Sequence, residues 1–182
     1  MNGSPALLLG VADSLITFEC PMLAPGTQLA VNVITQNGTV AVPIQNSMLS
    51  ATPALFVLDA ARPGQGLVLI ANSDALAMPA KGGFSGRPVQ KGEYVSILAT
   101  GLGEVQDGSP ALAKNYVKVW IGGASVAPSF VGLIPGGAGL FQVIAQVPAG
   151  STAGPLVPLY VEVDLTNGQV VPSNQVVIAV NE

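Results

Sequence analysis

The chain contains no histidine and a single cysteine, and only 9% of its residues are charged and 5% aromatic. The missing histidine removes the commonest general base and the commonest metal-ligating side chain. A Ser-His-Asp triad and a Cys-His pair both require it. Structural zinc needs four thiolate or imidazole ligands, more than Cys20 alone can supply. One cysteine also forbids an internal disulfide and leaves the redox compartment undefined. Basic residues are scarce and scattered, at Arg62, Lys81, Arg87, Lys91, Lys114 and Lys118. Ten acidic residues outweigh them to a net charge of −4, and the isoelectric point is near 4.6. Such a surface has no phosphate-tracking stripe, so nucleic acid is not an expected partner. Long apolar runs are missing as well. Residues 20–58 and 119–161 carry no charge, yet prolines at 21, 25, 43 and 53, and at 128, 135, 148, 155 and 158, interrupt them. No unbroken stretch reaches the roughly 20 residues of a spanning helix.

What is present reads as β-structure. The chain has 182 residues, 49% apolar, with 22 glycines and 15 prolines. That apolar fraction suffices for a buried core. Period-two alternation dominates. Leu29, Val31 and Val33 alternate with Gln28, Ala30 and Asn32, and the pattern resumes in Val40, Val42 and Ile44 after Asn37-Gly38. Leu159, Val161, Val163 and Leu165 alternate with Tyr160, Glu162, Asp164 and Thr166, followed by Asn167-Gly168 and then Val176, Ile178 and Val180. Asn-Gly between alternating runs predicts hairpins with type I′ turns, in which both central residues take positive φ. Residues 67–71, 94–100, 117–121 and 140–147 are further short strands, bounded by Gly or Pro. The apolar Ala6–Leu9 has no basic stretch ahead of it and reads as a strand, not a signal peptide. No segment keeps a 3.6-residue period with caps. The fold class is all-β, a sandwich or barrel.

The chain also repeats itself. Residues 4–49 match residues 127–180 in the order of their landmarks: a Pro-led strand, an apolar strand ending in Cys20-Pro21 or Val147-Pro148, a Gly turn, an alternating strand, Asn-Gly and a last strand. Val31, Asn37 and Gly38 match Val161, Asn167 and Gly168 at an offset of 130, whereas Pro21 matches Pro148 at 127. The later copy is preceded by residues 59–126, which have no counterpart before the first. The expectation is a polypeptide extending further N-terminally, or a first unit without its leading strands. Such a half unit exposes strand edges and an apolar face, so a homodimer through edge strands is one expected outcome.

Several phrases carry a family resemblance. They are Pro53–Phe56, Tyr94–Gly103, Val119–Ala124, Ala127-Pro128, Gln142 ahead of Val147-Pro148, and Ser173–Val176. In this order they resemble the Solibacter-type uncharacterised C-terminal domain family, similar in turn to IPT/TIG-type immunoglobulin-like domains. The resemblance runs from about Ser4 to Val180. It implies an immunoglobulin-like β-sandwich at the end of a long exported acidobacterial protein. The family supplies no agreed functional residues, so none is carried over. Position 20 departs from the repeat, with Cys where the second copy has Val147.

Candidate sites are few. Gly101-x-Gly103 followed by Glu104 and Asp107 has the look of a phosphate loop, but the chain runs on into Gly108-Ser109-Pro110 and not into a helix, so a Gly turn is expected. Glu104 with Asp107, or Glu162 and Asp164 with Asn167, offer oxygens to calcium but lack the six to eight ligands and the spacing it needs. No carboxylate pair is singled out for glycoside hydrolysis. Tyr116, Lys118 and Trp120 share one face of a strand and form a candidate flat surface for a sugar or a partner; alternatively Trp120 fills the sheet interface or the inter-domain contact. Cys20 has no basic neighbour to activate it and is expected as a small buried hydrophobe.

These readings predict a partial immunoglobulin-like unit over 1–58, the C-terminal strands of a repeat, and a complete immunoglobulin-like sandwich over 59–182, with Phe56 and its proline-rich flanks at the junction. No cofactor, metal or catalytic residue is expected. The expected role is a non-catalytic structural or adhesion-type module of a larger, secreted or cell-surface bacterial protein, whose export signal lies elsewhere. Its expected partners are the remainder of that polypeptide and a surface polysaccharide or protein. The alternative role is a polysaccharide- or ligand-binding module using Trp120, Tyr116 and Lys118.

Overall fold

The computed structural model describes residues 1–58, 64–80 and 84–182; Arg62 and Lys81 lie outside them. The described residues are all-β, without a helix, in several antiparallel and mixed sheets. The chain divides into two units, Met1–Ser50 and Ala51–Glu182. The boundary expected at 58/59 falls where the description breaks off. Residues 52–56 bond within the second unit: Thr52 N–H donates to the Gly101 carbonyl and Phe56 N–H to that of Leu98. Gly101 makes this approach tolerable, because at its φ of +71° a Cβ would run into the Thr52 carbonyl oxygen.

The first unit consists of two hairpins. β1 (Leu8–Ala12) pairs with β2 (Leu15–Phe18), and β3 (Val31–Thr35) with β4 (Gly38–Val42), each as a separate two-stranded sheet. Beyond β3 and β4 the ladder resumes antiparallel at Gln28 and Ser47. Leu29, Val31 and Val33 are half-buried, and no residue of 1–50 is fully buried.

The second unit holds the remaining strands. They are β5 (Ala54–Leu55), β6 (Val68–Ile70), β7 (Leu76–Ala77), β8 (Gly86–Arg87), β9 (Val89–Gln90), β10 (Tyr94–Thr100), β11 (Tyr116–Ile121), β12 (Ala124–Val126), β13 (Phe130–Leu133), β14 (Phe141–Gln146), β15 (Gly154–Asp164), β16 (Val170–Pro172) and β17 (Val176–Asn181). One sheet runs β13-β14-β10-β6-β7-β8, with β5 also on β10; the other runs β12-β11-β15-β17-β9, with β16 also on β15. Alternation sends one set of side chains from each sheet into a shared core. Val95, Ile97, Ala99, Val143 and Ala145 come from the first sheet, and Val119, Ile121, Leu159, Val161, Val163, Val176 and Ile178 from the second, all wholly buried. This is the period-two signal of the sequence realised as packing.

The internal repeat keeps its register at one pairing, whereas the β3–β4 ladder, with Val31 on Val42, and the β15–β16 ladder, with Glu162 on Pro172, differ by one residue at the offset of 130. Gln28 faces Ser47, and at the offset of 130 Pro158 faces Val177. β3 and β4 correspond to β15 and β16, joined in both cases at Asn-Gly. The β1–β2 hairpin corresponds to β13–β14.

The Asn-Gly turns themselves differ from the type I′ expectation. In the later hairpin the loop is Thr166-Asn167-Gly168: Leu165 N–H donates to the Gln169 carbonyl and Gly168 N–H to that of Leu165. Gly168 has φ +83°, and Asn167 is not in the positive region. In the earlier hairpin Thr35 pairs with Gly38, so Gln36 and Asn37 form the turn and Gly38 follows it at φ +130°. Asn fits the ordinary right-handed turn position, and Gly alone takes the left-handed bulge after it.

Candidate functional site

β11 and β15 lie side by side, with Tyr116 opposite Asp164, Lys118 opposite Glu162, and Trp120 opposite Tyr160. Because Val117, Val119 and Ile121 and their partners Val163, Val161 and Leu159 turn into the core, these six residues occupy the other face. Trp120 is therefore not the filling of a sheet interface; it is half-buried on the side away from the core. Tyr116 is exposed and Lys118 half-buried. The structure thus aligns all three expected residues along one strand and adds Tyr160 and Glu162 from the next.

The added residues change what the face offers. The Trp120 and Tyr160 rings stack at 5.9 Å between centroids and 8° between planes. The indole Nε1–H donates to Glu162 Oε2 at 2.7 Å. One side of the indole and its only donor are consequently committed within the sheet, leaving the other ring face and the edge. Lys118 and Glu162, of opposite sign, sit directly across the ladder, an arrangement that favours the pairing. Asp164 Oδ1 is enclosed and has no hydrogen-bond partner among the described residues. An aromatic ledge flanked by two carboxylates can take the apolar side of a sugar ring and accept hydroxyl hydrogen bonds.

The other candidates resolve locally. Gly101 and Gly103 follow β10 at positive φ and lead into loop, with no helix N-terminus ahead of them. Glu104 accepts a hydrogen bond from Lys114 Nζ at 2.9 Å, so its charge is paired. No group of three metal-ligating side chains occurs among the described residues. A hollow of about 400 Å³ lies beside β9 and β17, away from β11, among Pro79, Pro88, Pro155 and Glu182. Glu182 there is ion-paired to Lys91 at 2.6 Å. Cys20 is exposed, not a small buried hydrophobe. Its counterpart Val147 is buried and exchanges backbone hydrogen bonds with Gly92 and Glu93, just ahead of β10.

Among the described residues, the acid whose titration is shifted is Glu93. Both carboxylate oxygens accept from the Arg87 guanidinium, at 2.7 and 2.8 Å, and Oε2 also accepts from the Gln90 N–H at 2.8 Å. The guanidinium first, and then the amide, holds this carboxyl at about 2. The cluster fastens the turn between β9 and β10.

Tyr160 and Glu162 were not foreseeable as site residues from Tyr116, Lys118 and Trp120 alone. Their alternation is plain in the sequence, but only the β11–β15 register brings them beside Trp120. Compared with family models, curated proteins and solved structures, the chain has no match in any of the three.

Proposed function

We propose that this chain is a non-catalytic structural or adhesion-type module of a larger, exported bacterial protein. In this reading it is an immunoglobulin-like β-sandwich of the IPT/TIG kind, akin to the Solibacter-type C-terminal domains, preceded by part of another such unit. The observation that carries the reading is the duplicated order of strands, with one pairing in the same register, Gln28 on Ser47 and Pro158 on Val177. Tandem copies of one small unit stack into extended arrays in which each unit contacts only its neighbours. The inventory of side chains agrees: without histidine, the acids Glu93, Glu104 and Glu182 are each engaged by a cation.

A second reading is favoured by one specific feature, the Trp120–Tyr160 pair on the solvent side of its sheet with Tyr116 exposed along the same strand. In that reading the ledge binds polysaccharide. A screen of the intact chain against glycans and bacterial surface polymers, with Trp120→Ala as control, separates the two. The spacer form of the structural reading expects no saturable binding. Binding that Trp120→Ala abolishes overturns it in favour of the ledge.

A further inference from the structure

Trp120 is packed on one flank and open on the other. Its register partners are Tyr160 on β15 and Ser125 on β12. Tyr160 stacks on the indole, so the ring face left free is turned towards β12, the last strand of its sheet. Ser125 stands on the same side as Trp120, between Gly123, in the turn that joins β11 to β12, and Ala127. All three residues are small and exposed. A Cβ added at Gly123 would meet nothing within 4 Å. The indole is therefore backed by a ring on the β15 side and bordered only by short side chains on the β12 side.

The indole is also held still. The Tyr160 stack sets the plane of the ring, and the Nε1–H bond to Glu162 Oε2 at 2.7 Å sets its rotation within that plane. A ring immobilised in advance loses little conformational freedom when a ligand lies against it, which removes one of the costs of binding. The groups bordering the open flank are free to form hydrogen bonds: Ser125 Oγ and Lys118 Nζ have no partner among the described residues. Lys118 sits two residues before Trp120 on the same face of β11.

We propose that the β12 side of Trp120 is a subsite for one pyranose ring of a neutral polysaccharide. The proposal rests on the ledge reading, whose ligand class it names, and it is compatible with the adhesion form of the first reading. The sugar lays its C–H face on the open side of the indole, above Ser125, and the Ser125 hydroxyl and Lys118 ammonium bond its hydroxyl groups. Charge sets the class of polymer. The outward residues of β11, β12 and β15 include one cation, Lys118, and two carboxylates, Glu162 and Asp164. Their sum is negative, so a chain of uronic acids is disfavoured relative to a neutral one. The small residues of β12 set the size, since they leave the depth of one ring beside the indole and no more aromatic surface beyond it.

Trp120 is the chain's only tryptophan, so tryptophan emission reports on this place alone. The test titrates the intact chain with cellohexaose, a neutral oligomer with flat C–H faces, and with hexagalacturonate, an acidic one of the same length. Cellohexaose is expected to change the emission saturably, and hexagalacturonate to bind roughly tenfold more weakly at low ionic strength, the gap narrowing as salt is added. Ser125→Leu fills the open flank without touching the Trp120–Tyr160 pair, and is expected to weaken cellohexaose roughly tenfold with the Tm unchanged. Ser125→Ala keeps the flank open and is expected to stay within about threefold of the parent, the loss of one exposed hydrogen bond. Cellohexaose binding that survives Ser125→Leu, or equal affinity for the two oligomers, overturns the subsite and leaves the ledge reading standing. Binding of neither oligomer also overturns the subsite; the ledge reading falls with it only where the wider glycan screen is empty as well.

Discussion

Asn174 substitutes for a strand. Its Oδ1 accepts from the Leu55 N–H at 2.7 Å and its Nδ2 donates to the Leu55 carbonyl at 3.1 Å, the two bonds that a ladder neighbour would make. Leu55 is 5% exposed, so water cannot replace them freely. Asn174→Ala leaves one donor and one acceptor unpaired in that place, which costs about 2–3 kcal/mol. For a unit of this size that corresponds to a fall in Tm of about 10 °C. Asn174→Asp provides a sharper test. The aspartate keeps the acceptor for Leu55 N–H but turns a carboxylate oxygen on the Leu55 carbonyl, so at pH 7 it should be no better than alanine. Protonation restores a donor. The folded state thus raises this carboxyl's pKa, and the stability it contributes is present at low pH and lost as pH rises through that raised value. Tm measured by circular dichroism should therefore show Asn174→Asp gaining on Asn174→Ala as pH falls from 7 to 4. An Asn174→Ala protein melting within 2 °C of the parent would refute the bridging role, and a pH-independent gap between the two variants would refute its geometry.

The Arg87–Glu93 cluster gives a pH prediction of opposite sign. Glu93 is held at about 2, well below its ordinary value, so its contribution is full at neutral pH and fades as pH falls from about 4.5 towards 2. The Tm difference between the parent and Glu93→Gln should be largest near pH 7 and vanish by pH 2; a constant difference would mean that the carboxylate does not support the turn. The duplicated positions provide a paired comparison. Val161→Ala, at a wholly buried site, should cost about 2 kcal/mol in a denaturant titration, whereas Val31→Ala, half-buried, should cost under about 1 kcal/mol. Equal costs would mean that the first unit is as tightly packed as the second.

Much of the fold was legible because it follows from local alternation. Residues 94–100 form β10 as expected, and 117–121 form β11 with one residue more. In strands covered on one face, each apolar residue must take every second place, and the sequence displays that directly. The repeat was legible for the same reason, since Val31 and Val161 keep both their phase and their distance to Asn-Gly. Turn type was less visible. Asn37-Gly38 and Asn167-Gly168 announce reversals, but the dipeptide serves a bulged turn as readily as a type I′ turn, and strand twist and loop length decide between them.

What sequence could not convey depends on who the neighbours are. Cys20 and Val147 occupy the same place in the repeat, and both suit a buried position; one is exposed and the other buried, bonded through its backbone to Gly92 and Glu93. Trp120 looked like core material by size, yet its phase on β11 puts it outside, and only the cross-strand partners Tyr160 and Glu162 explain how a large ring is held there. Burial is thus a property of the assembled ladder and not of the residue.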